Sequence, residues 1–120
     1  MQYSLLVISR EATEAEIGKE AMDWGRAAFD AYAKSLDAAG VLVSADILQP
    51  VAASTTVTVR DGALKVQDGP FADTKDLLGG YSVIDVESLD EALKWAERCP
   101  SAAVGAVLVW PVIKMATPKR

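Results

Sequence analysis

The sequence predicts an α+β domain in which two helices cover one face of an antiparallel sheet. Three observations carry this. Strand patterns and two amphipathic helical stretches follow one another as strand–helix–strand, hairpin, strand–helix–strand. A chain of 120 residues has the commonest size of a single domain and can bury about two-thirds of its unfolded surface without a disulfide or metal staple. The composition, 51% hydrophobic and 24% charged, is that of a globular protein.

Tyr3 to Ser9 reads as a strand, apolar on both faces at its centre. A helical pattern follows from about Thr13 to Ala39. Its polar side carries Glu16, Lys19, Asp23, Arg26, Asp30, Lys34 and Asp37; Ile17, Ala21, Met22, Trp24, Ala28, Phe29, Tyr32 and Leu36 spread opposite. That apolar arc, roughly 200°, is about twice what a helix lying on a sheet needs, so a loop, a partner or a ligand is expected over Met22, Phe29 or Trp24. Gly40 ends the helix. Val41 to Leu48 is a second strand, stopped by Gln49-Pro50. Thr55 to Arg60, Asp61-Gly62 and Ala63 to Gln67 form a hairpin with a type I′ turn. Its register pairs Val59 with Leu64 and Val57 with Val66, and turns Thr56, Thr58, Lys65 and Gln67 to water. Tyr81 to Val86 is a strand after Gly79-Gly80. Ser88 caps a helix that runs to about Cys99, with Leu89, Ala92, Leu93 and Ala96 as its core face. Gly105 to Val112 is the last strand. Residues 1–113 thus form one domain, two βαβ halves in the ferredoxin-like arrangement, and 114–120 a tail.

The net charge is −5, and the acidic surface repels nucleic-acid backbones. The single cysteine, Cys99, excludes an intrachain disulfide. No apolar run reaches the ~18 residues of a membrane span and no signal-like segment precedes the first strand, so a cytoplasmic, membrane-free protein is expected. There is no histidine, which removes the commonest general base and metal ligand. No phosphate-binding glycine loop, metal cluster or nucleophile–base pair stands out, and no cofactor is expected.

Leu5–Ile8 and Ala106–Trp110, read as the central strands, send apolar side chains to both faces. Helices cover only one, so the open face is expected to meet its equivalent in a symmetric homodimer. The alternative is a monomer whose hairpin folds over that face.

Asp68-Gly69-Pro70-Phe71-Ala72-Asp73-Thr74-Lys75, followed by Leu78-Gly79-Gly80-Tyr81 and Asp85, resembles the signature of the YCII-related family, in the branch named for its DGPF motif. Tyr3-x-Leu5-Leu6, Leu89-Asp90-Glu91-Ala92-Leu93, Cys99-Pro100 and Val109-x-Pro111-Val112 extend the resemblance over nearly the whole chain. It implies a dimeric ferredoxin-like α+β barrel of bacterial origin, in some cases associated with extracytoplasmic-function sigma factors. The His/Asp pair attributed to relatives cannot be carried over whole, because the histidine is missing.

Asp68 is the candidate acid/base; the competing role is to hold the amides of its own turn, as Asp before Gly commonly does. Gly69 and Pro70 shape that turn. Phe71 plugs the core or walls a pocket, with core the default. Lys75 attracts an anionic ligand or makes a surface ion pair. Trp24, Tyr32 and Tyr81 could join Phe71 around a pocket, although aromatics at helical spacing are more often core. Two functions are compatible with these residues. One is a dimeric small-molecule-binding or regulatory module; the other is a cofactor-free lyase, isomerase or oxygenase using Asp68. The absent histidine favours the first.

Overall fold

The computed structural model describes residues 1–115, so most of the expected tail at 114–120 lies outside the described residues. The chain runs β1 (Gln2–Arg10), α1 (Glu14–Ile17), α2 (Lys19–Ala38), β2 (Leu42–Ile47), β3 (Thr55–Arg60), β4 (Ala63–Asp68), β5 (Asp76–Asp85), α3 (Leu89–Arg98) and β6 (Ala106–Pro111). Short 3₁₀ turns lie at Val51–Ala53 and Pro100–Ala103. The main sheet is antiparallel with order β2-β5-β1-β6, the ferredoxin-like order, and β3-β4 form a separate two-stranded hairpin.

The helical stretch is broken where the sequence pattern runs on. Thr13 and Glu16 close a capping box over the single turn of α1, and Gly18, at φ +87°, ends it before α2 begins. Only glycine adopts that backbone region freely. At the far end Gly40 (φ +76°) makes a Schellman cap, with Gly40 N–H on Asp37 C=O and Val41 N–H on Leu36 C=O.

Tyr3, Leu5 and Val7 of β1 and Ile84 of β5 face the helices and are buried with Phe29, Tyr32 and Leu36 of α2 and Ala92, Ala96 and Cys99 at α3. Three sequence expectations are corrected. The partner of β1 at the centre is β5, which starts at Asp76 and takes Gly79-Gly80 into the strand; β6 is an edge. Leu89 and Leu93 stay half exposed, because the face of α3 turned to the core is that of Ala92, Ala96 and Cys99, with Trp95 beside it. The hairpin has the expected register and positive φ at both Asp61 and Gly62. Lys65 and Gln67 face water as expected, but Thr56 and Thr58 are half-buried and Val57, Val59, Leu64 and Val66 are all exposed, so neither face of the hairpin is covered by the core.

The second face of the main sheet carries Leu6 and Ile8 of β1, Tyr81 and Val83 of β5, and Leu108 and Trp110 of β6. No helix covers it, and Trp110 is 58% exposed.

Candidate functional site

A stripe of α2 at Met22, Gly25, Phe29, Tyr32 and Leu36 faces the sheet. Over its second half, side chains fill the space between the layers. Over its first half they do not, because Gly25 contributes none and the sheet beneath offers Gly80. A Cβ built at Gly25 would meet nothing within 4 Å outside its own helix. Gly80 is different: a Cβ there would sit 3.0 Å from the Asp46 carbonyl oxygen, so a side chain would press on the β2 backbone. The β5 irregularity opposite Val7/Ile8 sends the Gly79 carbonyl to Leu48 N–H at 2.9 Å, fixing the chain that leaves β2 at the cleft's edge.

The result is a cleft of about 320 Å³ between α2 and one end of the sheet. Its walls are mostly apolar and include Val7, Ile17, Met22, Phe29, Ile47 and Leu48. Its charged lining residues are Arg10, where β1 ends, Arg26 on α2, and Glu11. Glu11 is already engaged: its Oε2 accepts Val51 N–H at 2.9 Å and ties down the 3₁₀ turn beside the mouth. Neither Arg10 nor Arg26 has an ion-pair or hydrogen-bond partner among the described residues. Other charges on α2 pair along the helix, Lys34 with Asp30 at 2.9 Å and Lys19 with Asp23 at 4.0 Å. A second hollow of about 550 Å³ adjoins the cleft, sharing Leu48, Gln49, Pro50, Leu77 and Leu78 and reaching Thr56 and Pro70 at the hairpin base.

The residues singled out from the sequence are dispersed. Tyr32 is core: its hydroxyl donates to the Trp95 carbonyl at 2.6 Å, and burial pushes its pKa well above the ordinary 10.0. Trp24 sits on the same helix but is 73% exposed. Tyr81 lies on the open sheet face, where its hydroxyl donates to Asp46 Oδ2 at 2.5 Å; that bond raises its pKa. Asp68 and Lys75 are exposed and line neither hollow. Gly69 (φ +88°) closes the hairpin base, donating its N–H to Ser54 C=O at 2.8 Å and accepting the Thr56 hydroxyl at 2.7 Å. Pro70 accepts the Gln67 side-chain amide at 3.3 Å. Phe71, expected in the core, is 72% exposed, because the loop carrying it runs over the surface between the hairpin and β5. Cys99 is buried, and burial pushes its thiol pKa up, away from reactivity. Among the described residues, no group of three or more acidic or cysteine side chains could hold a metal ion.

Sequence reasoning missed Arg10, Gly25 and Arg26. Arg26 read as one more charge on the solvated side of the helix. The available signal was Gly25, a glycine inside an otherwise strong helical pattern, which needs a reason because it destabilises a helix by roughly 1 kcal/mol relative to alanine.

The strand order with both long helices on one face, together with the family comparison, settles the relationship. The model of the YCII-related domain matches residues 1–116. The chain belongs to the YCII-related family. It is 34% identical over 102 residues to an uncharacterised protein of Rhizobium meliloti (strain 1021), an alignment covering 85% of this chain and 82% of that one. No helix among the described residues is long and apolar enough to cross a membrane.

Proposed function

We propose that this YCII-related chain is a small-molecule-binding or regulatory module that works as a homodimer, with its ligand held in the cleft between α2 and the sheet. The cleft carries the reading. It is concave, largely apolar and bounded by a few polar groups, the usual character of a small-molecule site, and it exists because α2 has a glycine where its core stripe calls for a side chain. The homodimer reading is supported by the open sheet face with Leu108 and Trp110, and by the exposed apolar face of the hairpin. Each large aliphatic side chain left in water forgoes ~1.5–3 kcal/mol. A sigma-factor association of the kind the DGPF resemblance implies would give such a module a regulatory output. An enzyme built on Asp68 has no comparable support, since that carboxylate stands outside both hollows.

A thermal-shift screen of metabolites tests the reading. The expected result is a compound that raises the Tm of the native chain but not of Gly25→Leu, whose side chain fills the cleft; circular dichroism checks that this variant is folded. A compound that stabilises both equally, or a metabolite panel without a single hit at millimolar concentration, overturns it.

A further inference from the structure

We infer that the cleft takes a small monocarboxylic acid with an apolar body, its carboxylate held by Arg10 and Arg26. The inference rests on the binding reading above and adds the chemical class of the ligand. Two independent features of the cleft carry it.

The first is charge. In a chain of net charge −5, the cleft's charged lining is two arginines and one glutamate, and the glutamate is held by Val51 N–H. Both guanidiniums lack a protein partner among the described residues. An arginine fork matches a carboxylate with two parallel N–H···O bonds, so two arginines lining one cleft favour an anion. Beyond these charges and Ser9, Gln49 and Ser101, the lining side chains are apolar, among them Ile17, Met22, Phe29, Ile47 and Leu48, and most of the wall would leave a strongly hydrated anion such as free phosphate poorly solvated. Largely apolar walls with two cationic groups among the lining suit an amphiphile: a hydrocarbon or aromatic body and a single acid.

The second is the glycine. Gly25 lies at the middle of the helix face that looks into the cleft, between Met22 and Phe29. Its backbone is ordinary helix, and a Cβ there would touch no atom within 4 Å, so neither strain nor close packing requires glycine. Alanine would suit the free protein better. A helix glycine without an internal reason, set in the wall of an apolar cleft, leaves room for something that is not part of the chain.

Isothermal titration of the intact protein with phenylacetate, cinnamate and indole-3-acetate, each against its neutral amide and against inorganic phosphate, tests the class. The expected result is binding of at least one acid about tenfold tighter than its amide. That preference should be lost in Arg10→Gln and in Arg26→Gln, both surface changes that leave folding intact. Gly25→Ala separates a binding role from a structural one: it should raise the Tm of the free protein by about 2–5 °C while weakening the acid. Amides that bind as well as acids, or arginine variants that keep the preference, overturn the acid proposal while leaving a small-molecule site in place. Phosphate competing as well as the acids overturns the apolar-body requirement. Absence of binding by every acid and amide overturns the proposal, and the metabolite screen then decides the broader reading on its own.

Discussion

Replacing Tyr32 with phenylalanine should loosen the contact between the two long helices. The last four carbonyls of a helix have no N–H from within it. At the end of α3 the chain tightens: Cys99 N–H goes to Ala96 C=O at 3.1 Å, which leaves the Trp95 carbonyl without the donor four residues on. The Tyr32 hydroxyl, reaching across from α2, supplies it at 2.6 Å. Losing a net hydrogen bond costs about 1 kcal/mol, and a carbonyl left unpaired in a partly buried place adds to that, so Tyr32→Phe should cost about 1–3 kcal/mol. Urea unfolding should show a lower midpoint with an unchanged slope, and the Tm should fall by about 4–12 °C. The pH dependence gives a second check. The folded pKa of Tyr32 is raised above its unfolded value near 10, chiefly by burial. Its stabilisation is therefore complete below pH 10 and declines as the pH rises beyond 10, where the unfolded chain gains a phenolate that the folded protein resists forming. The gap between native and Tyr32→Phe stability should be constant from pH 7 to 9 and narrow above 10. A variant as stable as the native chain, or a gap that does not move above pH 10, would refute the assignment of that hydroxyl.

Further outcomes follow from packing. Gly105→Ala should destabilise by about 1–3 kcal/mol, because a Cβ there would lie 2.5 Å from the Ile8 carbonyl oxygen and 2.8 Å from Ser9 Cβ; chemical denaturation measures it, and an unchanged midpoint contradicts it. Leu36→Ala, at a fully buried position in the α2 stripe, should cost about 2–5 kcal/mol in the same assay. Gly25→Ala should go the other way, adding about 0.5–1 kcal/mol to the free protein. Of these three, only Gly25→Ala should be more stable than the native chain.

Most of the fold was legible because its signals are local and redundant. The hairpin follows from Asp61-Gly62 between alternating strands, α3 from the Ser88 cap, and the end of α2 from Gly40. Strand centrality was less accessible. The sequence pattern starts this strand after Gly79-Gly80, yet β5 takes both glycines in, with Gly80 and Ser82 buried within it; small residues suit the middle of a sheet crowded by neighbours on both sides. The half-buried threonines of the hairpin have a different origin. Alternation fixes which residues share a face but not which way that face turns, and here the tie between Thr56 and Gly69 draws the threonine side inward. The cleft was hidden for another reason. Aromatic residues were sought as pocket walls, but Trp24, Tyr32, Phe71 and Tyr81 point to solvent, core and the open sheet face, whereas the cavity is made by what Gly25 omits.

The open face of the main sheet, with Trp110 58% exposed, has no helix over it among the described residues. Sedimentation equilibrium at micromolar concentration, with Trp110→Glu alongside, tests directly whether a second copy covers it. The account predicts a particle of twice the 12.7 kDa chain mass for the native protein and a folded single chain for the variant. A native protein that sediments as one chain would contradict it.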